Sequence, residues 1–216
     1  MDIASILKSV VAVRATIPDT AFTAAGLGTN REGSGVVIDP AGLVLTIGYL
    51  ITEASDVWLT TSDGRSVPAH ALAYDQETGF GLVQALGRLD LPAFEFGASG
   101  RAQLGDPVVL ADGNGGFVRA GIVAKQEFAG YWEYLLDEAI FTAPAHDSWG
   151  GAALVDDSGR LLGVGSLRLQ MMRSGEAVDI NMSVPIDLLK PILDDMTRSG
   201  RVNRPPRPWL GVFSAD

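Results

Sequence analysis

The chain contains no cysteine, which excludes a thiol nucleophile, a disulfide framework and a cysteine metal cage. Histidine is nearly absent as well: His70 and His146 stand far apart, whereas a zinc site needs three or four ligands at suitable spacing, so no metal is expected. Basic residues are scarce, 16 Lys and Arg against 26 Asp and Glu, giving a formal charge of −10. A nucleic-acid partner and an anionic membrane surface are both disfavoured by that balance. No apolar run reaches the roughly 18 residues of a membrane-spanning helix. At the N-terminus, Lys8 interrupts the apolar residues and no small-residue cleavage site follows. As written, the chain therefore reads as cytoplasmic, or as periplasmic if a leader has been removed.

Glycine and aliphatic residues are plentiful. Of 216 residues, 47% are hydrophobic, enough for a sizeable core, and 26 glycines and 11 prolines provide many turns. Short β-branched or aliphatic runs recur: "GSGVVIDP", "GLVLT", "DVWLTTSDGRSVPAHALAYD", "GFGLVQAL", "DPVVLAD", "RAGIVAKQEF", "WEYLLDEAIF" and "AALVDDSGRLLGVGSL". Turn signals separate them at Asp39-Pro40-Ala41-Gly42, Ser62-Asp63-Gly64 and Asp157-Ser158-Gly159. Helical spacing is confined to the ends. Ile3, Ile6, Leu7, Val10 and Val11 fit one face of a short N-terminal helix. Ile186, Leu189, Ile192, Leu193 and Met196 fit a C-terminal helix that stops at Gly200 and starts close to Pro191. The expectation is an all-β fold of two Greek-key barrels with short terminal helices. A break near residues 111–120 is expected to separate residues 1–112, the N-terminal helix and first barrel, from residues 113–200, the second barrel and C-terminal helix. Residues 201–216 read as a linker, with Arg198, Arg201, Arg204 and Arg207 scattered through a proline-rich tail.

The order of these runs resembles the protease domain of HtrA/Deg-type trypsin-like serine proteases over about residues 10–212. "GSGVVIDPAGLVLT" is similar to that family's G-S-G-V-I-I-x-x-x-G-Y-I-L-T, and "SDGRSVPAHALAYDQETGFGLVQA" to its S-D-G-R hairpin followed by D-x-x-T-D-I-A-L-L-K. "LGDPVVLADGNG", "GGAALVDDSGRLLGV" and "MSVPIDLLKPIL" match three further motifs in the same order. The resemblance implies a trypsin-like double β-barrel, no cofactor, and extended or unfolded polypeptide or a protein partner as ligand. It also implies a homotrimer assembled through residues 1–20. In the tail, Trp209-Leu210-Gly211-Val212 matches the family's junction to a peptide-binding PDZ module, so another domain of ~100 residues is expected to follow.

The positions that resemblance assigns to catalysis carry the wrong side chains. After Leu45-Thr46 come Ile47-Gly48 and then, where the family has its histidine, Tyr49. A phenol with a pKa near ~10 is a poor base at neutrality, where an imidazole near ~6.5 is suited. After Asp75-Gln76-Glu77-Thr78, where the family has its orienting aspartate, stands Gly79. At the nucleophile, counting from the Ser158-Gly159 hairpin gives Gly150, and matching the Gly-Gly pair gives Trp149; neither has a hydroxyl. The expected function is a catalytically inactive protease homologue that binds or scaffolds polypeptide, the resemblance implying Val164, Gly165, Ser166 and Leu167 as the edge that takes an added strand. The alternative is an active serine endopeptidase with Ser148 as a relocated nucleophile beside His146 and Asp147, although three consecutive side chains point in different directions.

Several other features have plain readings. His70 alternates with alanines on a strand and reads as a surface residue. Asp156-Asp157 reads as a turn and Asp194-Asp195 as a solvated helix face. "YWEY", residues 131–134, reads as alternating core and surface positions or as a partner-contact patch. Met171-Met172 lies in a segment read either as a long hairpin or as an adaptable apolar surface.

Overall fold

In the computed structural model, which describes residues 2–130, 134–173 and 175–205, the chain forms two closed six-stranded antiparallel barrels. The first comprises β1 (Val10–Thr16), β2 (Asn30–Asp39), β3 (Leu43–Ile47), β4 (Asp56–Thr60), β5 (Ser66–Tyr74) and β6 (Phe80–Ala85), in spatial order β1-β2-β3-β6-β5-β4. The second comprises β7 (Pro107–Ala111), β8 (Phe117–Ala129), β9 (Leu135–Ala143), β10 (Ala153–Val155), β11 (Leu161–Arg173) and β12 (Glu176–Pro185), in the order β10-β11-β12-β9-β8-β7. Closure gives every strand two neighbours around its ring, while β11 beyond Ser166 extends past the ring paired with β12.

Local chemistry accounts for the turns. At the β2–β3 turn the Asp39 carboxylate accepts the Ala41 N–H at 2.7 Å, and Gly42 adopts φ +88°. The β10–β11 turn uses the same device: Asp156 accepts the N–H groups of Ser158 and Arg160, and Gly159 has φ +83°. Asx acceptors and left-handed glycines of this kind specify tight reversals.

Alternation along the strands sorts the apolar side chains into three groups. Val11, Val13, Val37, Val44, Leu59, Val67 and Val83 fill the first barrel, and Val108, Leu110, Ile122, Ile140, Leu154 and Leu162 the second. The largest group lies between the barrels and includes Val10, Leu45, Phe80, Leu82, Val109, Phe141, Val164, Met182, Val184 and Met196. An interface packed like a core fixes the barrels relative to one another.

Three expectations are refined. Strand β7 pairs with β8 and β10, so residues 107–111 belong to the second barrel and the crossing runs through residues 86–106, ahead of the break expected at 111–120. The C-terminal apolar periodicity divides into a 3₁₀ turn, Ile186–Leu188, and helix α3, Leu193–Ser199, which begins after Pro191 rather than running through it. Helix α1 is shorter than expected: it spans Ile3–Leu7, with Asp2 accepting the Ala4 N–H and Ile3, Ile6 and Leu7 packed on the chain's own inter-barrel core, whereas Val10 and Val11, expected on the same helical face, open β1. A further short helix, α2 (Ala24–Leu27), lies between β1 and β2. Among the described residues no helix is long and apolar enough to cross a membrane. The Trp209–Val212 motif, Arg207 and residues 131–133 lie outside the described residues.

Candidate functional site: a cleft closed by two tyrosines

Residues 49, 79 and 150, far apart in sequence, come together where the barrels meet. Tyr49 lies in a 3₁₀ turn, Gly48–Leu50, that ends β3. Beside it, Gly48 N–H donates to Gly79 O at 2.7 Å, tying that turn to residue 79. From the second barrel, a Cβ built on Gly150 would lie 2.9 Å from the Tyr49 hydroxyl oxygen. Residue 150 therefore faces Tyr49. Trp149 is half-buried, and its carbonyl accepts the Ala152 N–H at 3.1 Å.

The missing side chains leave room that tyrosines occupy. Gly79 has φ +75°, and a Cβ there would meet the Tyr134 ring at 2.1 Å. Tyr134 is itself 6% exposed. Its hydroxyl shares a short hydrogen bond with the Ser166 hydroxyl. From the other side Tyr49 donates its phenolic hydrogen to the Ser166 carbonyl at 2.8 Å. Both phenols thus converge on one fully buried serine of β11. Phe128 stands at 6.1 Å from the Tyr134 ring and at 6.2 Å from that of Phe141, extending the aromatic packing behind it.

Tyr49 is anchored from beneath. Arg31, buried on β2, donates to the carbonyls of Tyr49 (2.7 Å), Thr52 (3.1 Å) and Gly28 (3.1 Å) and to the Thr23 hydroxyl. Glu53 in turn accepts the N–H groups of Phe22 and Thr23. Burial pushes the Arg31 guanidinium below its ordinary value, partly offset by Glu53. Five donors in a fixed fork make arginine suited to such multiple carbonyl contacts. Nothing in the sequence pattern marks Arg31 for this task.

The glycine turn before β10 is tied to both barrels. Ser34 N–H donates to Gly150 O, Gly151 N–H to Gly165 O, and Gly165 N–H to Ala152 O, each at 2.8 Å. Gly151 must be glycine: φ is +77° and a Cβ would lie 1.8 Å from Ser34 O. Upstream, Ser148 meets His146 through its backbone, whose N–H donates to His146 Nδ1 at 2.9 Å. With Nδ1 accepting, the neutral ring carries its proton on Nε2. That atom lies 3.3 Å from Asp112 Oδ2, an ion-pair distance without the alignment of a hydrogen bond. Asn181 holds the His146 backbone on both sides, accepting its N–H at 2.6 Å and donating to its carbonyl at 3.2 Å. Asp147 points elsewhere, to Arg168 at 2.7 Å.

The expected peptide edge is partly enclosed. Val164 pairs with Ala153 and Val184, Gly165 bonds to Gly151 and Ala152, and Ser166 is covered by the two phenols. From Leu167 onward β11 pairs only with β12 among the described residues, with Leu167, Leu169 and Met171 half-buried and Met172 exposed. His70 is exposed on β5, and Tyr134 is a core residue rather than part of a contact patch.

The double barrel with a cleft at its seam is the architecture of chymotrypsin-like proteases, and comparison with known proteins agrees. The family model of the trypsin-like peptidase domain matches residues 33–164, and the chain belongs to that family. It is similar to the serine endoprotease DegS of Escherichia coli, 29% identical over 197 residues covering 83% of this chain and 54% of that protein. It is also similar to the periplasmic serine endoprotease DegP of Salmonella typhimurium, 30% identical over 177 residues covering 80% of this chain and 37% of that one. The chain thus spans about half or less of these relatives' length. Among solved structures, the HtrA-type protease AlgW with tripeptide shares the fold at a TM-score of 0.72 and 22% identity, covering 93% of this chain and 65% of that one. AlgW with decapeptide gives the same TM-score at 20% identity, covering 94% and 69%. The chain is accordingly an HtrA-type trypsin-like protease domain.

Proposed function

We propose that this domain binds extended polypeptide without cleaving it. The observation that carries the reading is that residues 49, 79 and 150 converge at the seam yet supply a phenol and two hydrogens. Hydrolysis by the trypsin mechanism needs a base for the nucleophile's proton, a carboxylate to orient that base, and a hydroxyl to attack. It also needs an oxyanion hole from the backbone N–H of the nucleophile and of the residue two before it. Counted from Gly150, the second donor is Ser148 N–H, which is spent on His146 Nδ1. Relocating the nucleophile to Ser148 meets the same obstacle, because the acceptor nitrogen of the neighbouring imidazole is already taken by that N–H.

Strand addition requires only backbone donors and acceptors. The edge of β11 from Leu167 onward offers them, while the phenol on Ser166 O closes the position nearest the seam. The solved relatives named with a tripeptide and a decapeptide support a polypeptide ligand for this fold. Fluorescence anisotropy with labelled fragments of unfolded casein, followed by mass analysis of the peptides, tests the proposal. Saturable binding with every peptide intact is expected; cleavage, or no binding at any concentration up to millimolar, overturns it.

A further inference from the structure

One turn of the first barrel touches both the plug of the cleft and the end of the described chain. Asp75, 5% exposed, opens this turn, and Gly79 closes it. Asp75 Oδ2 accepts the Thr78 N–H at 3.1 Å and the Thr78 hydroxyl at 2.7 Å. On its outer side the same carboxylate receives Arg204, 129 residues away, with Nη1 at 2.5 Å from Oδ1 and Nη2 at 3.4 Å from Oδ2. Arg204 Nη1 is also 3.5 Å from Glu77. On its inner side the turn receives the plug: Gln76 O accepts the Tyr134 N–H at 3.3 Å, Glu77 O accepts the Leu135 N–H at 3.0 Å, and Gly79 makes room for the ring.

The segment that carries Arg204 is folded back onto the barrel. Helix α3 ends at Gly200, with φ +69°; Val202 packs on the inter-barrel core, and Asn203 N–H donates to Asp195 at 3.0 Å. A buried carboxylate is tolerated only while it is paired and hydrogen-bonded. Withdrawing the guanidinium leaves the Asp75 carboxylate, among the described residues, with the Thr78 N–H and hydroxyl, and the remaining charge favours an opened, hydrated turn. Opening that turn displaces the two carbonyls that seat residues 134 and 135.

We infer that residues 200–205 are a latch: the Arg204–Asp75 ion pair holds the turn that keeps Tyr134 in the cleft, and drawing Arg204 away frees the cleft. The contact suits such a role because it is strong yet reachable, Arg204 being 33% exposed while Asp75 is 6% exposed at their side chains. A force or ligand acting on the chain beyond Pro205 lies one residue from it. The consequence for ligand rests on the peptide-binding proposal above; the mechanical link does not.

Amide hydrogen exchange on the whole chain separates the two, since exchange of individual amides reports local opening. In Arg204→Ala, exchange at residues 76–79 and 134–135 is expected to rise about tenfold, the scale set by losing a hydrogen bond to a charged group, with β1 and β2 unchanged. Asp75→Asn removes the buried charge while keeping its shape, and the double variant Asp75→Asn/Arg204→Ala is expected to exchange no faster there than Asp75→Asn alone. Unchanged exchange at 134–135 in Arg204→Ala, or a uniform rise through both barrels, overturns the latch. Labelled casein peptides are expected to bind Arg204→Ala more tightly than the wild-type chain. Faster exchange without tighter binding keeps the latch and removes the peptide reading from this cleft.

Discussion

Replacing Gly79 by alanine tests the plug most sharply, because the cost is composed of two separable parts. The backbone part follows from φ +75°, where an L-residue costs about 1–2 kcal/mol. The contact part follows from the 2.1 Å approach of the new Cβ to the Tyr134 ring, with further ring atoms at 2.9 and 3.0 Å. These are ring carbons of a buried side chain, so the ring has to leave. Its loss is comparable to truncating a buried aromatic, about 3–5 kcal/mol. Tyr134→Ala alone loses that same ~3–5 kcal/mol. In the double variant the ring is lost only once, so only the backbone part adds to Tyr134→Ala. Independent effects would sum to about 7–12 kcal/mol, whereas the plug predicts about 4–7 kcal/mol, a coupling of roughly 3 kcal/mol or more. Urea midpoints of the four proteins, with a common m-value, give the cycle. Additivity to within ~0.5 kcal/mol would refute the packing of Tyr134 against residue 79.

Other outcomes follow from the same geometry. Tyr49→Phe leaves the buried Ser166 carbonyl without its donor and should lower stability by about 1 kcal/mol in urea denaturation. Gly150→Ala should cost about 1–3 kcal/mol in the wild-type chain and clearly less in Tyr49→Phe, since the clash at 2.9 Å is with the phenolic oxygen. Rebuilding the triad as Tyr49→His, Gly79→Asp and Gly150→Ser should yield a poorly folded protein without peptidase activity unless Tyr134 is also truncated; circular dichroism and casein turnover read the two effects. Three carboxylates are held below the usual range: Glu53 by the Thr23 hydroxyl and N–H, Asp63 by the Thr61 hydroxyl, and Asp179 by Arg168. Depressed values mean stability that is present above the unfolded pKa near ~4 and lost as pH falls through the folded one. Melting temperature should therefore drop below about pH 4, with a shallower drop in Glu53→Gln.

Local signals made the barrels legible in the sequence. The runs around Val36, Leu45, Leu82 and Val164 are β-branched and aliphatic, and the turns at Asp39 and Asp156 carry their own acceptors and glycines. Motif order also located residues 49, 79 and 150, because each lies at a fixed count from a strand or turn. What fills their place was not legible. Tyr134 reaches Gly79 from 55 positions along the chain and from the other barrel, and no periodicity connects them. Arg204 looked like one of several scattered arginines until its partner Asp75 was found buried. The pairing of Ser148 N–H with His146 Nδ1 depends on a loop conformation that adjacency in sequence does not fix. The boundary between barrels was misplaced for a related reason: "DPVVLAD" reads as a strand, but only its pairing with β8 and β10 assigns it to the second barrel.

The central claim, a protease fold that lacks the chemistry at its seam, is tested most directly by exposing the purified chain to unfolded casein and to a fluorophosphonate probe, which labels only an activated serine. No turnover and no labelled serine are predicted, including at Ser148. Casein cleavage that persists through purification, with labelling at Ser148 and loss of both in Ser148→Ala, would contradict the account.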